Sequence, residues 1–152
     1  MTVYSNHPMI IIGTAGEHLV CADLIMHGYC SFITSAGLSY DVVVDVDGRL
    51  LKIAVKSTTT ARPRSGRTLT RPCYQFGVTR RKKSRYTTND ADIIAFVALD
   101  ERLIAYIPCK DCPTIIHFDK PGPIIYPNKK GPKPGYCRSF NDFPLGAALA
   151  GL

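Results

Sequence analysis

The 152-residue chain lacks a hydrophobic run long enough to cross a membrane. Its longest uninterrupted apolar stretch, 93–99, falls far short of the roughly 20 residues that a membrane-spanning helix needs. The N-terminus also lacks a basic segment followed by a long apolar stretch, so we predict no signal peptide and no contact with a membrane. Hydrophobic residues make up 45% of the chain, which is enough for the buried core of one domain.

Acidic residues are missing from the middle of the chain. Residues 48–89 contain twelve Lys and Arg but no Asp or Glu, within a formal net charge of +7. A basic segment without compensating acids is typical of a surface that binds phosphates, although a solvated loop kept basic for solubility has the same composition. Aromatic residues, Thr and Ser alternate with the basic ones here, and this favours nucleic-acid binding.

The six cysteines show no pattern of a disulfide framework. Cys109 and Cys112 have the spacing of half a zinc knuckle, and His117 and Cys137 would complete four ligands. The second Cys-x-x-Cys pair of such a site is missing, so we expect free thiols rather than zinc at Cys109 and Cys112.

Periodicity predicts an α/β fold. Apolar residues recur with helical spacing over 14–27, and Gly28 follows where a helix C-terminus favours positive φ. Short β-branched and aromatic runs predict strands; these are 29–33, the two arms of a hairpin within 40–57, 73–79, 91–99 and 102–107. Eight prolines lie between 108 and 144, so we divide the chain into a core, 1–108, and a Pro-rich C-terminal extension, 109–152, with a role in assembly or in added contacts.

The hairpin fixes which residues meet. Asp47-Gly48 between two β-branched runs predicts a two-residue turn, so facing residues have numbers that sum to 95. Asp41 then lies opposite Ala54, and alternation places Asp41, Ala54 and Lys56 on the polar face, away from the core.

These residue types suit metal-assisted hydrolysis of a phosphodiester. Such hydrolysis needs carboxylates that hold Mg²⁺ and benefits from a Lys that orients water or offsets negative charge. Asp41 and Lys56 lie near the same end of adjacent strands, and Glu17 adds a second carboxylate if the preceding helix packs beside the hairpin.

Glu17 at a helix start, Asp41 opening a hairpin and Ile53-Ala-Val-Lys56 closing it resemble the PD-(D/E)XK nuclease superfamily over roughly 14–108. The closest likeness is to compact intron-encoded homing endonucleases and to Holliday-junction resolvases. The resemblance implies a restriction-endonuclease-like core with a mixed β-sheet, a flanking helix and the C-terminal extension. It also implies that Asp41, Glu17 and the backbone carbonyl of Val55 bind Mg²⁺ or Mn²⁺ and that Lys56 is the motif lysine.

Ala54 departs from this pattern, because the family places Glu, Asp or sometimes Gln there. Alanine cannot bind a metal ion. Three explanations stay open at this point: a carboxylate elsewhere compensates, with Glu17 or Asp45 nearest; the protein binds DNA without cutting it; or the alanine is a substitution that blocks cleavage.

The basic residues form two arms, 58–72 and 80–86, on either side of the strand at 73–79. The candidate DNA contacts are Arg62, Arg64, Arg67, Arg71, Arg80, Arg81, Lys82, Lys83, Arg85 and Tyr86. We therefore predict a Mg²⁺-dependent homing-type endonuclease acting at a long specific duplex site. The alternatives are a Holliday-junction resolvase and an inactive DNA-binding protein. One active site per chain predicts a homodimer or homotetramer, and the location expected is cytoplasmic, at the nucleoid.

Overall fold

In the computed structural model, residues 8–62, 72–79, 84–122 and 138–152 are described. Their helices and strands are α1 (Pro8–Met26), β1 (Cys30–Ile33), β2 (Val42–Val46), β3 (Arg49–Thr58), β4 (Cys73–Gly77), β5 (Ile93–Ala98), β6 (Leu103–Pro108), β7 (Ile115–Asp119) and α2 (Leu145–Ala150). The predicted α/β class with a mixed sheet and a flanking helix is confirmed.

The main sheet has five strands in the order β1-β2-β3-β5-β6. Strands β3 and β5 run parallel, and every other neighbouring pair in this sheet is antiparallel. A second sheet pairs β4 with β7. All six residues of β5 are buried, as the unbroken apolar run predicts, because both faces of the main sheet are covered in this region.

Each face of the main sheet has its own core. On one face α1 and α2 pack through Val20, Leu24 and Leu145 against β2, β3 and β5. On the other face the β4–β7 sheet packs aromatic side chains against Phe96. The ring centroids of Phe76, Phe96 and Phe118 lie 5.2–6.0 Å apart in each of the three pairs.

The hairpin forms as predicted. Asp47 and Gly48 both have positive φ, 53° and 83°, the signature of the tight turn that suits strand twist. Val42 faces Ile53 and Val44 faces Leu51, which is the expected register. Gly28 also has a positive φ of 89°, so the end of α1 is predicted correctly.

Three expectations need correction. α1 begins at Pro8, six residues before the predicted start, because the apolar residues that follow Pro8 are part of the helix. β4 pairs with β7, a strand within the Pro-rich segment that the sequence pattern did not predict. The second face of β3 is not open and polar around Ala54, because Ala54 is fully buried.

α1 is also apolar enough on average, over its 19 residues, to pass a length-and-composition test for a membrane-spanning helix. Its apolar residues do not form one uninterrupted run, because Gly, Thr and charged residues lie among them. The buried residues of α1 are Gly16, Val20 and Leu24, which pack on the sheet. Only 17% of its most apolar window is buried, so α1 packs on the sheet through this one stripe.

The segment assigned to the extension contacts the core. Phe118 of β7 and Phe140 stack with ring centroids 4.4 Å apart, and both belong to the core beneath the second sheet. Leu145 and Ala148 of α2 join the core on the other face. The division at 108 stays a prediction, but its two parts share both cores.

Candidate active site

Asp41 lies at the point where the chain enters β2. Its backbone N–H donates to the Ile53 carbonyl at 2.9 Å, which extends the hairpin one residue beyond β2. Its carboxylate accepts a hydrogen bond from the Val55 N–H at 2.7 Å. The N–H and C=O of one strand residue point to the same edge, so the Val55 carbonyl shares the edge occupied by the Asp41 carboxylate.

Glu17 reaches this region because α1 approaches β3 very closely. A Cβ atom added to Gly16 would lie 1.7 Å from the Ser57 hydroxyl oxygen and 2.8 Å from its Cβ. Only glycine permits this distance, since Ser57 Cβ is fixed by the strand. Glu17, the next residue, is half-buried and lies within electrostatic range of Asp41.

Asp41 opposes the ionisation of Glu17. Burial raises the pKa of Glu17, and the nearby Asp41 raises it further, while His18 lowers it. Burial likewise raises the pKa of Asp41 above 3.8, although the hydrogen bond from Val55 and the charge of Lys56 lower it in part. Two half-buried carboxylates with raised pKa values are stabilised by any cation placed between them.

Lys56 is held by Tyr86. Its ammonium Nζ donates to the Tyr86 hydroxyl at 3.1 Å and lies 4.9 Å from the centroid of the same ring. The two contacts combine a hydrogen bond with a cation–π interaction, and together they fix the end of a flexible side chain. Tyr86 was predicted to contact DNA, and nothing in the sequence indicated this pairing.

Asp41, Lys56 and Tyr86 line a cleft of about 510 Å³. Gly37, Leu38, Ser39, Val55 and Thr79 form the rest of its wall. The Ser39 hydroxyl donates to the Asp90 carbonyl at 2.9 Å, which fixes the loop on one side of the cleft. Ser39 and Thr79 are not predictable from the sequence, because isolated hydroxyl residues in loops form no distinctive pattern.

Ala54 does not line this cleft. Its side chain is fully buried and its partner on β5 is Ile94. Asp45 is not a substitute for the missing acid, because its carboxylate accepts from the Gly48 N–H at 2.7 Å in the hairpin turn. The turn lies at the opposite end of the hairpin from Asp41. Of the two nearest candidates, Glu17 is therefore the one that the fold brings to the site.

Three of the predicted DNA contacts are described. Arg62 forms an isolated antiparallel backbone bridge with Cys73, and Arg85 forms one with Thr79. Arg62 and Arg85 are exposed, and the Arg85 guanidinium also donates to the Cys112 carbonyl at 3.2 Å. The other predicted contacts lie outside the described residues: Arg64, Arg67, Arg71, Arg80, Arg81, Lys82 and Lys83.

Cys109 and Cys112 are both buried. Burial raises the pKa of both thiols, that of Cys112 to about 12, which disfavours the thiolate that zinc requires. Within the described part of the chain, no group of three or more His, Cys, Asp or Glu residues is placed to hold a metal ion. Cys137 lies outside that part, so the expectation of free thiols stays a prediction.

Comparisons with known proteins identify the family and a similar fold. A family model described as PD-(D/E)XK endonuclease matches residues 11–120. A solved bacterial homing endonuclease, I-Ssp6803I, has a similar fold with a TM-score of 0.60 and 21% identity, over 92% of this chain and 90% of that one. None of the curated proteins matches. Because the family model spans most of the chain, the protein belongs to the PD-(D/E)XK endonuclease family and is an endodeoxyribonuclease.

Proposed function

We propose that the chain is a divalent-metal-dependent homing-type endonuclease that cuts duplex DNA at a long specific site. The observation that carries this proposal is that Asp41 and Lys56 line one cleft and that Glu17, from α1, lies within electrostatic range of Asp41. The likeness of the fold to a bacterial homing endonuclease supports it.

The donor set fits Mg²⁺ or Mn²⁺. Glu17, Asp41 and the Val55 carbonyl offer only oxygen ligands, which hard divalent cations prefer. Burial is the main cause that raises the pKa of both carboxylates, so a bound cation would offset the cost of ionising them here. When bound, the ion would supply positive charge that stabilises the phosphate during cleavage.

Lys56 provides the second source of positive charge. Its ammonium lines the cleft beside Asp41, where a scissile phosphate would bring its own negative charge. Held by Tyr86, Lys56 would orient the attacking water and offset the charge that develops on the phosphate.

The basic arms supply the proposed DNA contacts. Thr79 lies in the wall of the cleft, and the run Arg80-Arg-Lys-Lys83 follows it directly in the chain. Arg62 and Arg85 add exposed positive charge where each arm meets the fold. Two basic arms can contact DNA over the length that a long recognition site requires. Cutting both strands requires two or more copies of the chain, because each chain has one active site.

The test concerns position 54. Purified wild-type, A54E and A54Q chains are incubated with a randomised duplex library and Mg²⁺. The matched control, A54M, adds similar bulk without an oxygen. Ala54 is buried and lies outside the cleft lining, but position 54 is opposite Asp41 in the hairpin register. We expect A54E and A54Q to increase Mg²⁺-dependent cleavage by about tenfold or more, because their longer side chains would carry an oxygen toward the Asp41 carboxylate, where it adds a ligand or holds a water. A54M is expected to give no increase.

Position 54 is buried, so each variant is first checked for a folded thermal transition and for duplex binding. Folded, DNA-binding chains without cleavage in every variant would overturn the proposal and favour a protein that only binds DNA. A second substrate, a four-way junction, separates the resolvase alternative. Preference for the junction over every duplex in the library would contradict the homing-type assignment.

A further inference from the structure

The outward face of α1 carries a regular stripe. Its members are exposed and recur at intervals of four, three, four and three residues, the spacing of a helix–helix seam. At 100° per residue they cluster on the side of α1 opposite Gly16, Val20 and Leu24, which are buried on the sheet. We call these residues the outer stripe: Ile11, Ala15, His18, Ala22 and Ile25.

The outer stripe has the same residue types in both directions, Ile-Ala-His-Ala-Ile. A contact between two copies across a twofold axis requires such self-complementarity, because the same patch serves both sides. If two α1 helices pack antiparallel about His18, then Ile11 meets Ile25 of the second copy. Ala15 of one copy lies within one residue of Ala22 of the other along the helix. The small side chains of these alanines permit a close approach of the two helices.

Charge also favours a second copy as the occupant. The chain has a formal net charge of +7, so most of its surface repels another copy. α1 contains no Lys or Arg, and its two acidic residues, Glu17 and Asp23, are half-buried rather than on the outer stripe. The stripe consists of isoleucine, alanine and one central histidine, without Lys, Arg, Asp or Glu, so two copies can meet on it without opposing formal charges.

We propose that a second copy of this chain docks on the outer stripe through an antiparallel pair of α1 helices. A helix of 19 residues is about 28 Å long, and packed helices lie about 8–10 Å apart. A strip of this length and width buries roughly 600 Å² in total, below the ~1,200 Å² of a stable interface. The dimer is thus weak alone and strengthens when one duplex holds two copies, a role that rests on the proposed function.

The first test uses the symmetry of the contact. A cysteine at position 18 would face itself across the twofold axis, within reach of a disulfide, so H18C should form a covalent dimer under mild copper-catalysed oxidation. The matched control is M26C, because Met26 lies on the same helix and its side chain is accessible to oxidation, at 85% exposure. The two copies of position 26 would lie about 24 Å apart, so no dimer forms there.

Both variants contain the same native cysteines, so any background from Cys30, which is exposed, is identical. We expect at least about tenfold more covalent dimer from H18C than from M26C. Equal yields, or no dimer from H18C with and without duplex, would overturn the proposal. Neither readout involves cleavage, so failure here is distinguishable from failure of the proposed function.

The second test uses designed charges. In the antiparallel pair, position 15 of one copy faces position 22 of the other. The double variant A15E/A22E places like charges together twice, and we expect it to weaken self-association by about tenfold or more. The variant A15E/A22K places opposite charges together and should restore association.

Sedimentation at roughly 100 µM chain, with and without a short duplex, measures the association. If A15E/A22E and A15E/A22K sediment alike, the antiparallel register is wrong. If the wild type stays monomeric on the duplex as well as alone, another occupant covers the outer stripe and the proposal fails.

Discussion

Two acidic clusters in this molecule differ in how their charges are satisfied. Asp100 accepts from the Tyr74 hydroxyl and from Lys120, each at 2.9 Å, and Lys120 also pairs with Glu101 at 3.2 Å. Asp41 accepts one backbone hydrogen bond and lies beside a second carboxylate, Glu17. Each cluster has two carboxylates and one lysine, but Lys120 pairs directly with both of its acids, whereas Lys56 donates to Tyr86 instead.

The pKa values follow this difference. Burial alone would raise the pKa of Asp100, but the hydrogen bonds from Lys120 and Tyr74 bring it below 3.8. The pKa of Asp41 lies above 3.8, because burial outweighs the contributions of Val55 and Lys56. An acidic group that the fold leaves unfavourably ionised is a candidate for ligand binding, whereas a satisfied one contributes to structure.

The largest expected effect comes from the matched pair D41N and D100N. D41N should reduce Mg²⁺-dependent cleavage more than about 100-fold, beyond the usual 10–100-fold effect of residues that only support metal ligands. Asparagine keeps an oxygen for the Val55 N–H and removes an unfavourable charge. The metal-free variant should therefore melt about 2–4 °C higher at pH 7, the shift expected for ~1 kcal/mol in a chain of this size.

D100N is expected to show the opposite pattern. Cleavage should stay within about twofold of the wild type, and the melting temperature should fall by less than about 2 °C, because surface ion pairs contribute little. Both quantities come from the same preparations, by gel assay and calorimetry. If D41N lowers stability while keeping activity, the distinction between the two clusters fails.

A smaller effect is expected from pH. The pKa values of Glu17 and Asp41 are raised in the fold, so these groups bind more protons folded than unfolded in the window above 4.5 and 3.8. Stability of the metal-free chain should therefore decrease as pH rises through that window. Mg²⁺ affinity should change the other way, falling by up to about tenfold per pH unit for each carboxylate as pH decreases.

Asp100 has the contrary sign. Its lowered pKa adds stability that is present above 3.8 and is lost as pH falls below it. Calorimetric titrations of wild type, D41N and D100N separate the two contributions. A D41N chain whose stability still decreases with rising pH to the same extent would show that Asp41 is not the source.

The smallest expected effect concerns Tyr86. Y86F removes the hydroxyl that accepts from Lys56 at 3.1 Å but keeps the ring 4.9 Å from the ammonium. We expect the single-turnover cleavage rate to fall about 3–10-fold, the effect of one hydrogen bond, with unchanged duplex affinity. Y86A, which also removes the ring, should lose more. Reduced duplex affinity in Y86F would instead support the original prediction that Tyr86 contacts DNA.

Local features of the sequence predicted part of this site. The Asp47-Gly48 turn fixed the register of β2 and β3, and that register puts Asp41 and Lys56 near one end of the hairpin. The unbroken apolar run of β5 predicted a strand buried on both faces. Each of these signals lies within about ten residues, where turn chemistry and side-chain alternation decide the structure.

Long-range packing decided the rest. β4 finds its partner in β7, a strand within a Pro-rich segment about forty residues further along the chain, and no periodicity marks such a pairing. The same packing buries Ala54, which alternation alone had placed on an open polar face. Tyr86 meets Lys56 only because the chain after β4 returns past the cleft.

The sequence by itself determined the hairpin and the types of side chain available for chemistry, because a two-residue turn and strand alternation are local properties. Only the tertiary structure decided which acid joins Asp41. Gly16 lets α1 approach β3 closely enough to bring Glu17 within electrostatic range of Asp41, while Asp45 stays in the turn. The fold also decided which acids go unpaired, because burial and charge neighbours depend on contacts between distant parts of the chain.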